Sequence, residues 1–162
     1  MIVVADTSPL NYLILLEQVE VLHHIYGRVL APNAVLLEMQ HPEAPAPVRE
    51  WASAPPAWLE MRQVGQIDPS LSSELGAGES EAISLALELH ADLLLIDERA
   101  GRREAETRQI AVVGTLAVIL QASVRGLVDF PDALQKLRHH GFRVSRAIET
   151  AMLERYTQGK SK

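Results

Sequence analysis

Short, uninterrupted apolar runs alternate along this chain with longer segments whose apolar residues recur every three to four positions. IVVA at 2–5, LLLI at 93–96 and AVV at 111–113 show no polar face, as strands do when both sides of their sheet are covered. Strands joined by helices pair in parallel, so the alternation predicts an α/β fold of three layers, α/β/α, with a mainly parallel central sheet. The expected strands are 2–5, 28–30, 93–96 and 111–113, with a weaker one at 59–64. Helices are expected at 9–17, 19–26, 34–40, 79–90, 99–108 and 116–124, with two more between 131 and 156. Ser8 is expected to cap the first of these, with Pro9 at its first position, and Asn33 to cap the helix at 34–40.

Length bounds the organisation. A chain of 162 residues, 48% of them hydrophobic, suits one domain with its own core. We read 1–157 as that unit, a core over 1–125 and a helical extension over 126–157, followed by a frayed tail at 158–162. HPEAPAPVREWASAPPAW, 41–58, holds five of the nine prolines and reads as a surface excursion rather than a linker. There is no cysteine, which excludes disulfides and thiolate metal sites and fits a reducing compartment. No basic region precedes the first apolar run, and the longest uncharged stretch, the 16 residues 109–124, is short for a membrane span. The expectation is a cytoplasmic protein with no membrane segment.

A formal net charge of −6 argues against a general nucleic-acid binder, but the average hides a division. Residues 1–90 carry 3 Lys and Arg against 12 Asp and Glu, and residues 91–162 carry 12 against 9. The cations are gathered in the second half.

Asp6 follows IVVA and Asp97 follows LLLI. Ligands of open parallel sheets bind beyond the carboxyl ends of the strands, so two buried strands deliver a carboxylate each to the edge where sites form. The plainer alternative for each is a turn or a helix cap. The helix GAGESEAISLALELH adds a third acid. At 100° per residue, with Glu79 at zero, Ile83 lies near 40° and His90 near 20°, so Glu79 sits within the apolar face. Glu81, at about 200°, shares the opposite and expectedly wet face with Ser84 and Glu88. Glu38, in PNAVLLEMQ, has no support from periodicity beyond an exposed helical position, and Glu98 beside Asp97 is equally open.

Carboxylates converging on one strand edge repel each other unless a cation neutralises them, and an all-oxygen donor set suits hard divalent ions, Mg²⁺ or Mn²⁺. The six histidines show no zinc spacing, and the pairs at 23–24 and 139–140 read as solvent-facing. Other phosphate chemistries are disfavoured: Ser8 stands where a haloacid-dehalogenase-type phosphatase needs a second Asp, and the only lysines, at 136, 160 and 162, do not stand directly after the last strand as a receiver domain requires. Neither a Walker loop nor GxGxxG is present. After Asp97, Arg99, Arg102 and Arg103 share a helix face and suit the phosphates of an RNA strand; pairing with Glu98, Glu104 and Glu106 is the competing reading.

VVADTSPLNYL, VLLEM, GESEAISLALELHADLLLIDERAGR and VVGTLAVI together resemble the PIN-domain family of Mg²⁺-dependent ribonucleases, and most closely its prokaryotic VapC-like toxins. The likeness covers about 1–125 and is most specific over 76–101; the region beyond 127 resembles the C-terminal helices of an uncharacterised PIN subgroup. Carried over position by position, the family's catalytic acids fall on Asp6, Glu38, Glu79 and Asp97. Asp6, Glu79 and Asp97 are the implied metal ligands, with Glu38 and Glu98 as further candidates and Ser8 and Thr115 as supporting hydroxyls. Many members have Asp where Glu79 stands, so the longer arm here changes the reach of that ligand. The resemblance implies a metal-dependent endoribonuclease using Mg²⁺ or Mn²⁺ on RNA, the toxin of a toxin–antitoxin pair with an antitoxin protein as partner, and a homodimer. The rival expectation is a non-catalytic PIN-fold module that binds RNA or a partner.

Overall fold

The computed structural model describes residues 1–160. Five strands, β1 (Val3–Ala5), β2 (Val29–Pro32), β3 (Leu59–Arg62), β4 (Leu93–Leu95) and β5 (Val112–Val113), form one sheet in the order β3-β2-β1-β4-β5. Every pairing is parallel. The fold is therefore the expected α/β architecture, and the weak candidate at 59–64 is an edge strand. The chain builds outward from β1 through β2 to β3, then returns to the other side of β1 for β4 and β5. The order reverses between β1 and β4, the point at which doubly wound sheets open a crevice beyond their strand ends.

Strand residues divide by the period of two. Val3, Ala5, Val29, Ala31 and Leu95 enter one core, and Val4, Leu30, Leu94 and Ile96 the other. The first core is covered by α1 (Thr7–Leu15), α2 (Val21–Tyr26), α4 (Ala46–Ser53), α7 (Thr115–Val124) and α8 (Phe130–His139). The second lies under α5 (Ala77–Glu88) and α6 (Arg99–Thr107), while α3 (Asn33–Met39) packs between α1 and α5. The last helix, α9 (Arg146–Lys160), lies against α7 and α8. No helix among the described residues is long and apolar enough to cross a membrane.

Several local expectations give way to tertiary packing. The proline-rich 41–58 is no mere excursion: α4 begins after Pro45, keeps Pro47 in its first turn, and drives Val48 and Ala52 fully into the core. The helix α1 starts at Thr7, two residues before the expected start; Pro9 still falls in the first turn, where its missing N–H has no intrahelical partner to lose. Ser8 is therefore not a cap. Asn33 is likewise the first residue of α3 rather than its cap, because Pro32 takes the capping position. Pro32 has no side-chain acceptor, and Glu81 of α5 supplies one, accepting from the Ala34 N–H at 3.3 Å. The tail expected from 158 continues α9 as far as Lys160, and 161–162 lie outside the described residues.

Candidate active site

Asp6 ends β1. Its backbone is extended (φ −84°, ψ 173°) at the N-cap position of α1, yet its side chain makes no capping bond. Only 3% of the residue is exposed, and Oδ1 is buried with no hydrogen-bond partner. Burial pushes its carboxyl up to about 7 against the Thr7 backbone N–H that favours the ionised form, and Glu79, Glu38 and Asp97 raise it further by charge repulsion. Three acids from three other elements thus act on one buried carboxyl.

Each is held differently. Glu38, in the last turn of α3, accepts the Gly78 N–H through Oε1 at 2.9 Å and the Thr7 hydroxyl through Oε2 at 2.5 Å. Gly78 lies in the first turn of α5, where free amides favour an anion. Glu79 reaches back one turn to the Gly76 N–H at 3.3 Å through Oε1, while Oε2 is buried without a partner; burial raises its carboxyl, and the charges of Glu98 and Glu38 add to the shift. Asp97 follows β4 and receives three hydrogen bonds: Thr115 N–H to Oδ1 at 2.7 Å, Thr115 Oγ1–H to Oδ2 at 2.6 Å, and Ser8 Oγ–H to Oδ2 at 3.0 Å.

Asp6, Glu38, Glu79 and Glu98 line one cavity of about 370 Å³ with Thr7, Ser8, Asn11 and Tyr12. Asp97 stands outside it, in the wall of an adjoining cavity of about 1010 Å³ that shares Ser8, Tyr12 and Glu98. Arg99, Arg102 and Arg103 line that second cavity, and none of the three forms an ion pair among the described residues. Arg108 instead takes the acids of its neighbourhood, Glu104 at 2.5 Å and Asp68 at 3.8 Å.

The assumed wet face of α5 is not wet. Ser84 is buried and accepts from the Asp68 N–H at 3.0 Å, and Glu81 caps α3; only Glu88 of the three is exposed. Projection on a helical wheel sees one core, whereas α5 is flanked by α3, the sheet and α6. His90 lies beyond the end of α5 in a left-handed backbone conformation (φ 51°) and is exposed, so the helical projection does not extend to it. His140, read as merely solvent-facing, is exposed but borders the acidic cavity.

Other participants carry no sequence signal. A Cβ on Gly78 would stand 2.6 Å from a Glu38 oxygen, one on Gly101 2.7 Å from Glu79 Oε2, and one on Gly114 2.9 Å from Asp97 Oδ1. Three acids are thus pressed against three glycines, and a Cβ at any of the three would push its acid out of place. Asn11 Oδ1 is also buried and unpartnered in the acidic cavity's wall. It sits on α1 one turn after Thr7, with nothing in the pattern to mark it.

The carboxylates line their cavity without closing on a common point, and no group of three or more His, Asp or Glu among the described residues is gathered tightly enough to be a finished metal site. What fits a cation is the chemistry of the donors. Buried, unpartnered oxygens on Asp6 and Glu79, whose carboxyls are raised first by burial and then by neighbouring acids, need either protons or a hard cation. Asp97 has room as well, because three donors leave one of its four lone-pair sites free.

The DUF3368 family model, a PIN domain, matches residues 2–158. The chain belongs to the PIN-domain family. No curated protein and no solved structure matches it. PIN domains are nucleases as a class, and an acidic cavity at the switch point of this PIN sheet, next to a cavity lined by unpaired arginines, is consistent with that class.

Proposed function

We propose that this PIN-domain protein is a divalent-metal-dependent endoribonuclease. The reading is carried by one observation: Asp6 is buried at the carboxyl end of the central strand with an unpartnered oxygen and three other acids acting on it. Asp6, Glu79 and Asp97 are the residues that would hold Mg²⁺ or Mn²⁺, with Glu38 and Glu98 as further donors. When bound, such an ion supplies an activated water and offsets the charge that builds on the scissile phosphate. The protein's own part is orientation. Gly78 and Thr7 fix Glu38, Gly76 fixes Glu79, and Thr115 with Ser8 fixes Asp97, so the acids present their free lone pairs without searching rotamers. Arg99, Arg102 and Arg103 neutralise phosphates beside the cut, which leaves a 5′-phosphate on the downstream product.

Incubating the protein with RNA and Mn²⁺ and sequencing the ends tests this: discrete 5′-phosphate ends are expected, absent for Asp6→Asn that stays folded by circular dichroism. Equal cleavage by that variant would remove Asp6 from the mechanism, and no cleavage by the parent would leave the binding-module reading. The VapC-like toxin role, with an antitoxin partner and a homodimer, is the finer part of the reading and rests on the DTSPL and GESEAISLAL likeness. Its test is growth arrest on expression, relieved by Asp6→Asn.

A further inference from the structure

The C-terminal extension builds one wall of the larger cavity. The loop between α8 and α9 contributes Phe142, Arg143 and Val144, and the first turns of α9 contribute Ile148 and Met152. Phe142 meets Tyr12 of α1 edge-on, with ring centroids 5.0 Å apart and planes at 85°. Tyr12 lines both cavities, so this contact ties the loop to the wall that separates the acidic cavity from the arginine-lined one.

Two features of the recess need an occupant. Ile148 is 49% exposed, and it lines the recess together with the apolar side chains of Phe142, Val144 and Met152. Arg143 adds a fourth arginine to Arg99, Arg102 and Arg103, and none of the four has an ion-pair partner among the described residues. Acids line it too: Asp97 and Glu98 beside Ser8, which fronts the acidic cavity, and Glu106 on α6. An apolar floor rimmed by unpaired guanidinium groups matches a strand whose phosphates face the rim and whose base lies on the floor. A duplex offers only its backbone there, since its bases are stacked and paired inside.

We propose that the 140–145 loop and the start of α9 form a seat for one unpaired nucleotide of single-stranded RNA, next to the scissile phosphate, with Arg143 gripping the strand and Ile148 part of the surface beneath the base. This rests on the ribonuclease reading above and adds to it a subsite built by the C-terminal extension. The extension then supplies a base-contacting surface beside the acids that the 1–125 core does not contain.

Fluorescence anisotropy with a labelled 12-nucleotide RNA, single-stranded or annealed to its complement, tests it in an Asp6→Asn background that prevents cleavage. The single strand should bind roughly tenfold tighter than the duplex, as base stacking on a protein surface allows. Arg143→Ala, at an exposed position, should lower the slope of log affinity against log salt by about 0.7, one phosphate contact on a single strand. Ile148→Gln, which keeps a good helix former, should weaken single-strand binding roughly threefold with the slope intact, removing part of the stacking surface. If the parent binds neither form, the ribonuclease reading fails and this inference with it. If the parent binds RNA but prefers duplex, or both variants match it, the inference alone is overturned; matched variants would give the recess to a protein helix instead.

Discussion

Asp6 shows how much of this site lives in single groups. Its carboxyl, raised from 3.8 to about 7 by burial and by neighbouring acids, holds in the folded state a proton that the unfolded chain releases near pH 4. The metal-free fold therefore loses stability as pH rises from about 4 to 7, because over that window the native state binds more protons than the unfolded one. The full cost at pH 8 is on the order of 4 kcal/mol. Asp6→Asn should remove it, so in chelator the variant should melt higher than the parent at pH 8 and equal it near pH 4. Denaturant titrations across that range check this, and a parent whose stability rose from pH 4 to 7 would contradict it. Thr115 is the second residue to test. Thr115→Val keeps the buried volume but removes a hydroxyl hydrogen bond to Asp97 Oδ2, at a cost of about 1.5–3 kcal/mol for a bond to a charged group. Cleavage should fall with it, and Thr115→Ser should recover most of the loss. The two aspartates at the strand ends were legible in sequence because a carboxylate after a buried apolar run stands out. The glycines against which Glu38, Glu79 and Asp97 rest were not, since a close approach between distant elements leaves no trace in local pattern.

At the scale of elements, α5 ties the site to the rest of the fold. Periodicity points Glu79 away from Glu81, and the structure places Glu79 in the acidic cavity's wall and Glu81 at the N-terminus of α3. The wheel could not show that α3 would lie against the supposedly wet side, nor that Pro32 would leave α3 in need of an outside cap. Titration calorimetry should find Mn²⁺ binding weakened by Glu79→Gln and kept by Glu81→Gln. Stability should rank the Glu81 variants differently. Glu81→Ala leaves the Ala34 N–H without its acceptor and should cost about 1 kcal/mol in urea unfolding, as lost N-caps do, while Glu81→Gln retains an acceptor oxygen and should cost less. Equal stability for Glu81→Ala and the parent would show that water satisfies α3 as well as the side chain does. The same blindness hid α4: five prolines outweighed Val48 and Ala52 locally, although Pro47 falls in a first turn that tolerates it.

For the whole molecule, the charge division along the chain becomes a division of labour. The acidic first half supplies Asp6, Glu38 and Glu79, and the basic second half supplies the arginines, meeting where the sheet order reverses between β1 and β4. Asp97 and Glu98, which follow β4, are acids that the second half adds to the site, and the second half depends on the extension to hold its shape. Phe130 of α8 is fully buried, stacks on Tyr156 of α9 at 5.7 Å between ring centroids, and belongs with Leu134 and Leu137 to the same core as Leu10, Leu13 and Ile119. A separable extension would unfold before the rest; one sharing the core must unfold with it. Phe130→Ala should therefore destabilise the entire protein by about 3–5 kcal/mol, the range for emptying a buried aromatic site. In urea the midpoint should fall in a single transition with an unchanged slope, and near-ultraviolet signals from Trp58, in the first core, and Trp51, packed against it, should move together with the backbone signal. Two separated transitions, with the tryptophans surviving the first, would mean that α8 and α9 dock on a domain already complete without them, and the recess they build could then open and close independently of the acids.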